Sequence, residues 1–191
     1  QDVLYFYDTD TTGAFSGLRD SDGLFVPLGP ASNNRFGPEI GLSHRLRELG
    51  ITNQIIIKYA RGGTNLYSDW DPKATGGKQL YPALLDTIAV AKDRLDAAGI
   101  NYTLSGLFWM QGESDSRAAS SYAANLNGLV ASLRRDLKAP ELPVVIGRVA
   151  PNNTDGREGV RRAQVETAEA DPLAGWVNTD DLERFDGTHF D

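Results

Sequence analysis

The sequence lacks cysteine and has no long apolar run. Zero cysteines among 191 residues exclude disulfides, thiolate nucleophiles and cysteine-based zinc sites. They leave the compartment open, because a chain of this length can bury an adequate core without cross-links. The longest apolar stretches, such as residues 55–57 and 107–110, are far shorter than the ~18 residues that a membrane helix needs. We therefore predict no membrane segment.

Positive charge is also scarce. Lys and Arg total 19 against 26 Asp and Glu, so the formal net charge is −7. This is the wrong sign for contacts with a phosphate backbone, which argues against nucleic acid as a partner. With 40% hydrophobic and 24% charged residues, the composition is typical of a globular protein, and the length predicts a single domain over residues 1–191. Oligomeric state has no readable signal.

The N-terminus has no initiator methionine and no targeting signal. The chain begins Gln1-Asp2-Val3, without a basic or apolar leader. We interpret it as a processed protein or as a piece of a longer one.

Apolar strands alternate with helical patterns along the chain. The helix pattern is clearest where Leu84, Ile88, Ala91 and Leu95 recur at helical spacing before Gly99. Such alternation predicts an α/β fold of three layers, with a parallel sheet and right-handed crossovers. The predicted strands are 3–7, 53–60, 102–110, 142–149 and 176–179, and the predicted helices are 38–49 (with Ile40, Leu46 and Leu49 on one side), 84–98, 122–137 and 159–170; residues 8–37 are predicted as a long loop.

Polar residues follow four of the predicted strands. In a parallel sheet the ligand lies outside the carboxyl ends of the strands, so these loops are predicted to meet at one edge. Their sequences are residues 61–64 (Arg-Gly-Gly-Thr), 111–115 (Gln-Gly-Glu-Ser-Asp), 151–153 (Pro-Asn-Asn) and 186–189 (Asp-Gly-Thr-His).

His189 is the main candidate base. It follows Asp186 by three residues with a glycine between them, a spacing that lets a carboxylate hold one imidazole nitrogen. An ordinary surface turn would show the same spacing, and its place at the sheet edge makes the two interpretations about equal. The other histidine, His44, lies among arginines in a predicted helix and is assigned no role.

The remaining candidates are weaker. Gly62 and Gly63 could be a plain turn or could bring backbone N–H groups close to an oxyanion. Gln111, Glu113 and Asp115 form a polar cluster, in which Asp115 or Ser116 could simply cap the next helix.

Two further segments resemble known functional motifs. Ser114 lies in a strand–turn–helix context like the G-x-S-x-G elbow, but its final glycine is replaced by Ser116. Asp8, Asp10 and Gly13 resemble a calcium loop, but the twelfth position is Arg19, so no metal site is predicted. Trp70, in a loop between two aspartates, could stack on a sugar ring, whereas Trp109 and Trp176 are predicted core residues.

Four strings together resemble one known superfamily. They are Phe36-Gly37-Pro38-Glu39-Ile40, Gly62-Gly63-Thr64, Trp109-Met110-Gln111-Gly112-Glu113-Ser114-Asp115 and Asp186-Gly187-Thr188-His189-Phe190. In this order and in these loops they resemble the SGNH hydrolases, within them the branch of sialate O-acetylesterases and acetylxylan esterases. The resemblance spans nearly the whole chain.

The resemblance implies a serine esterase that removes O-acetyl groups from carbohydrate on a flavodoxin-like three-layer fold. It implies no cofactor and no metal, and it favours a secreted or periplasmic protein. By motif match His189 would be the base and Asp186 its partner. The oxyanion donors would be the backbone of Gly62 or Gly63 and the Gln111 side chain, with supporting roles for Glu113, Asp115 and Thr64.

The chain departs from this pattern at both ends. The family's nucleophile lies in a G-Q-S-N block after its first strand, and no G-Q-S or G-D-S string occurs here. The helix that the family places after its histidine is absent too. We therefore expect a fragment that lacks a central strand and the last helix, with the serine upstream of residue 1. Two alternatives remain: a catalytically inactive carbohydrate-binding protein, and an esterase that uses Ser114.

Overall fold

The computed structural model describes residues 3–8, 24–29, 37–184 and 186–190. These residues group into two compact units: residues 1–62 with 84–102, and residues 63–83 with 103–191. Each unit carries its own three-stranded sheet. The predicted single domain over residues 1–191 stays a prediction.

The first unit is built on a mixed sheet of order β2-β1-β3. Its strands are β1 (Leu4–Asp8), β2 (Val26–Pro27) and β3 (Ile55–Tyr59). β1 runs parallel to β3, with Leu4 opposite Ile55, and antiparallel to β2. The predicted strands 3–7 and 53–60 are confirmed. β2 lies inside the stretch predicted as loop, because a two-residue strand is too short to show a periodicity.

Helix α1 (Pro38–Glu48) buries a different side from the predicted one. Leu49 is 61% exposed, whereas Glu39 and Ser43 are buried. The reason is an ion pair that periodicity does not reveal: Glu39 Oε1 accepts a hydrogen bond from Lys58 Nζ at 2.8 Å, and Tyr5 Oη approaches the same oxygen at 3.4 Å. The predicted apolar stripe of α1 is therefore wrong, although the helix itself is confirmed.

Helix α2 (Leu80–Ala97) confirms the clearest helical stripe of the sequence. Leu84, Ala91 and Leu95 are buried. Gly99 has φ of +66°, the left-handed conformation expected after a helix end. The helix begins four residues before the predicted start.

The second unit carries a parallel sheet of order β4-β5-β6. Its strands are β4 (Leu107–Trp109), β5 (Val144–Gly147) and β6 (Ala174–Val177), and its helices are α3 (Ala119–Asp136) and α4 (Asp155–Ala170), with a 3₁₀ turn at Ser116–Ala118. Each pair of neighbouring strands is joined through a helix, as the α/β prediction requires. The predicted strand 102–110 is too long, since pairing starts at Leu107, whose N–H donates to the carbonyl of Pro143.

The helices of the second unit cover one face of this sheet. Tyr122, Leu126, Leu129 and Leu133 of α3 are buried, which confirms the predicted stripe. α4 starts four residues earlier than predicted, because the side chain of Thr154 caps it by accepting from Arg157 N–H. Side chains on the covered face of the sheet are buried: Trp109, Val144 and Ile146.

The other face of the second sheet is more exposed. Phe108 and Val177 are each 50% exposed and Met110 is 37% exposed. Pairing of Phe108 with Val145 and of Val177 with Gly147 places them on the same face. Within the described part of the chain, no helix combines the length and the apolarity needed to cross a bilayer.

Candidate active site

Asp186 and His189 form a closed hydrogen-bonded turn, here named the histidine turn (residues 186–189). His189 Nδ1 lies 2.6 Å from Asp186 Oδ2. The other carboxylate oxygen accepts the backbone N–H of His189 at 2.8 Å and of Thr188 at 3.0 Å. Gly187 has φ of +78°, which an L side chain rarely adopts, so glycine suits this position. The predicted spacing therefore brings the imidazole and the carboxylate together.

These hydrogen bonds keep Asp186 ionised. Donation from the His189 backbone, then from its side chain and from the Thr188 backbone, lowers the pKa of Asp186 to about 2. A carboxylate at Nδ1 favours the neutral imidazole tautomer that carries its proton there, which leaves the basic lone pair on Nε2. The side chain of His189 is 68% exposed.

Gln111 sits at the centre of a buried network in the glutamine loop (residues 111–115). Its Nε2 donates to the carbonyl of Thr64 at 2.8 Å and to Asp115 Oδ2 at 2.6 Å. The backbone carbonyl of Gln111 accepts from Tyr122 Oη at 2.6 Å and from Gln164 Nε2 at 2.9 Å. Gln111 is only 8% exposed. The network joins the glutamine loop to the loop after β3, to α3 and to α4.

This network bears on the oxyanion role. A primary amide has two N–H donors, and both of those on Gln111 already have partners. To donate to a developing oxyanion, the amide must share or release one of these bonds. The oxyanion role of Gln111 stays a prediction, and the contacts add to it a structural role.

Asp115 organises the glutamine loop, and its side chain does not act as a helix cap. No side-chain cap hydrogen bond is present at the 3₁₀ turn that it precedes. Instead Asp115 accepts from Leu66 N–H at 2.8 Å as well as from Gln111. It is 1% exposed, and burial raises its pKa against the opposing effect of these hydrogen bonds.

The loop after β3 holds the other oxyanion candidates. Gly63 has φ of +63°, and a Cβ built on Gly62 or Gly63 would meet no atom within 4 Å. The carbonyl of Gly63 accepts from Lys78 Nζ at 2.9 Å. Thr64 is buried and accepts from Trp70 Nε1 at 3.0 Å through its hydroxyl. The backbone conformation of Gly63 thus favours glycine, whereas space for a side chain is available at both residues.

The structure also shows where the other residues singled out from the sequence lie. Trp70 is 4% exposed and packs edge-on against Trp109, so it is core and cannot stack on a sugar. His44 is exposed on α1, beside Glu48. Ser114 is exposed in the glutamine loop, and Glu113 is half-buried. Asp8 belongs to β1, and most of the rejected calcium loop lies outside the described residues.

Sequence reasoning missed two arginines that contact the candidate site. Arg157 of α4 donates to the carbonyl of Glu113 at 3.3 Å and Arg184 lies 3.4 Å from the carbonyl of Gly187. The signal that could have found Arg157 is an arginine pair at i and i+4, with Arg161, on the inner side of a helix. Arg184 has no comparable signal in the sequence. Within the residues described, no group of three metal-ligating side chains is close enough to hold an ion.

Comparisons with known proteins add to this geometry. The family model described as carbohydrate esterase, sialic acid-specific acetylesterase, matches residues 21–191. No curated protein matches the chain.

Two solved structures share the fold. A protein from Arabidopsis thaliana superposes with a TM-score of 0.70 at 20% identity, covering 98% of this chain and 73% of that one. A carbohydrate acetylesterase from Xanthomonas citri gives a TM-score of 0.54 at 14% identity, covering 91% of this chain and 42% of that one. The predicted α/β fold class is thereby confirmed.

The family match covers the glutamine loop, the Gly62-Gly63-Thr64 turn and the histidine turn alike. It extends over most of the chain, and the fold of the two solved structures agrees with it. The chain therefore belongs to the family of carbohydrate esterases described as sialic acid-specific acetylesterases, within the SGNH hydrolases.

Proposed function

We propose that this protein is a carbohydrate O-acetylesterase in which His189 is the general base and Asp186 its orienting partner. The observation that carries the proposal is the 2.6 Å contact between His189 Nδ1 and Asp186 Oδ2 in the loop that follows β6. A base held in this way has one tautomer and one orientation, which is what proton transfer to and from a hydroxyl requires. Membership in an acetylesterase family supplies the substrate class, an acetylated sugar.

The proposed reaction proceeds through an acyl-enzyme. A serine hydroxyl attacks the acetyl carbonyl while Nε2 of His189 takes its proton, and the imidazolium then protonates the departing sugar oxygen. Water attacks the acetyl-serine in the second half, again through the imidazole, and releases acetate. The serine lies outside residues 1–191 in this proposal, because the family's G-Q-S-N block has no counterpart in them.

The oxyanion of each tetrahedral intermediate needs preorganised donors. We assign them to the backbone N–H of Gly63 or Gly62 and to the amide of Gln111, which would exchange one of its present partners for the oxyanion. We assign supporting roles to Glu113, Asp115 and Thr64; in favour of this, the Asp115 carboxylate and the Thr64 carbonyl each accept a hydrogen bond from the Gln111 amide.

The test is acetate release by the full-length protein from acetylated xylan, O-acetylated sialic acid and acetylated oligosaccharides. Asp186→Asn keeps an acceptor for the two backbone N–H groups but removes the charge at Nδ1, so we expect turnover to fall by roughly 10²–10⁴. His44→Gln, on the exposed side of α1, is the matched control and should turn over like the wild type.

The pH dependence checks the same assignment. Because the folded pKa of Asp186 is about 2, its carboxylate stays charged well below neutral pH, and its contribution to stability is lost only as pH falls from about 4 towards 2. The fall of the rate at acid pH should therefore not follow the titration of Asp186.

Equal turnover by wild type and Asp186→Asn would remove the histidine turn from the reaction. Sugar binding without acetate release would favour an inactive binding protein, and loss of fluorophosphonate labelling in Ser114→Ala would move the nucleophile to Ser114.

A further inference from the structure

Three consecutive backbone carbonyls in the loop after β5 each accept a hydrogen bond from a different arginine. A guanidinium is planar, carries five N–H donors and stays charged throughout the physiological pH range, so it can hold two carbonyls at a fixed separation. The pairs are Arg161 Nη1 with Val149, Arg157 Nη1 with Ala150 at 2.8 Å, and Arg184 Nη1 with Pro151 at 2.6 Å.

Two of these arginines also reach the two halves of the candidate site. Arg157 Nη2 donates to the carbonyl of Glu113 at 3.3 Å, within the glutamine loop. Arg184 Nη1 lies 3.4 Å from the carbonyl of Gly187, within the histidine turn. The segment 149–151 is thus connected by one guanidinium to each half.

The two connections differ in burial. Arg157 is 4% exposed, so replacing it would open the interior of the second unit. Arg184 is exposed, and it forms a β-bridge with Phe190 on the far side of the histidine turn. The side chain of His189 is 68% exposed and that of Asp186 is 39% exposed. Hydrogen bonds such as those of Arg184 therefore contribute to the orientation of the turn.

We propose that Arg184 is a positioning residue that clamps the histidine turn to Pro151 and so fixes the distance between His189 and the glutamine loop. Its effect on rate rests on the acetylesterase function proposed above, whereas its effect on the geometry of the turn does not. A displacement of about 1 Å at a catalytic group can cost on the order of 10²-fold in rate. Loss of the clamp should therefore lower kcat, while KM changes little because Arg184 acts through His189.

The experiment compares Arg184→Ala, Arg184→Lys and the control Arg162→Ala in the full-length protein. Arg162 is exposed on α4 and lies on the same helix as Arg157. Two readouts are taken: kcat and KM for acetate release, and the imidazole Cε1–Hε1 signals in NMR. The His189 signal is assigned as the one that is missing from the spectrum of His189→Gln.

We expect Arg184→Ala to shift and broaden the His189 signal and to lower kcat by roughly 10- to 100-fold, with KM within threefold. Arg184→Lys should recover part of both effects, because an ammonium keeps the charge and the N–H donors but sits on a shorter side chain than Nη1 of Arg184. Arg162→Ala should match the wild type in both readouts. If Arg184→Ala folds poorly, Arg184→Lys alone decides by the same criteria.

An unchanged His189 signal in the Arg184 variants overturns the proposal, whatever the rates are. A shifted signal with unchanged kcat in an active enzyme overturns its catalytic part. If the wild type releases no acetate, the proposed function fails, and the NMR signal still decides whether Arg184 positions the turn.

Discussion

Gln111 connects several parts of the second unit through buried hydrogen bonds. Its side-chain amide donates to the loop after β3 at 2.8 Å and to Asp115 within the glutamine loop at 2.6 Å, and its backbone carbonyl accepts from α3 and α4. Motif matching predicts that Gln111→Ala affects turnover and leaves the fold intact. The structure indicates that the substitution also leaves buried partners unsatisfied.

We therefore expect Gln111→Ala to reduce both the turnover and the free energy of unfolding. Turnover should fall by ~10²–10³ if the amide also serves the oxyanion. The free energy of unfolding should fall by about 1–3 kcal/mol, because the Thr64 carbonyl and the Asp115 carboxylate lose a donor. Acetate release and urea denaturation measure the two effects. Arg117→Ala, exposed in the adjoining 3₁₀ turn, is the control for both.

The two measurements separate the roles of the side chain. A stability loss without a rate loss would leave Gln111 as a cross-link alone. A rate loss at wild-type stability would mean that the network relaxes around the gap.

At the scale of elements, α4 decides where the glutamine loop lies. The helix approaches the 3₁₀ turn so closely that a Cβ on Gly156 would lie 2.3 Å from the carbonyl oxygen of Ser116. The obstructing atom belongs to the backbone, so a larger residue would force the helix away. Arg157, the next residue, would move with it.

Two glycine-to-alanine substitutions in neighbouring helices should thus have opposite effects. Gly156→Ala should destabilise the protein by roughly 1–3 kcal/mol through overpacking. Gly128→Ala should stabilise it by about 0.5–1 kcal/mol, because Gly128 is exposed in α3 and a Cβ there meets nothing within 4 Å. Chemical denaturation under one set of conditions measures both. A Gly156→Ala variant that is as stable as the wild type would contradict the close packing of α4.

At the scale of the whole molecule, the exposed apolar face of the second sheet stands out. Phe108, Met110 and Val177 lie on it with 37–50% of their surface open. Apolar side chains exposed on one face of a sheet promote association in water. It is the feature through which we expect the chain of residues 1–191 to interact with other apolar surfaces, copies of itself included.

Self-association should consequently depend on this face. We expect residues 1–191 to form larger species as concentration rises, and the double variant Phe108→Thr with Val177→Thr to remain smaller at equal concentration. Threonine keeps the β-propensity of both positions while reducing their apolar area. Sedimentation velocity measures the difference, with Val90→Thr, 42% exposed on α2, as control. A wild-type chain that stays monomeric throughout would refute the expectation.

The elements that sequence periodicity predicted well are those whose signal is local. The buried stripe Tyr122, Leu126, Leu129 and Leu133 is set by helical repeat, and the Asp186–His189 contact is set by a three-residue spacing around a glycine. Such contacts need no knowledge of the rest of the chain. The family resemblance could be identified from the sequence for the same reason, since each of its strings is a short contiguous motif.

What the tertiary structure alone decided depends on residues far apart in the sequence. The burial of Glu39 required Lys58, the occupied amide of Gln111 required Thr64, and the clamp on the histidine turn required Pro151, 33 positions before Arg184. Trp70, which the sequence allowed as a sugar-stacking residue, is a core residue because it packs against Trp109. The physical reason is common to all four: a polar or aromatic side chain takes its role from the partner that satisfies it, and that partner is brought near only when the chain folds.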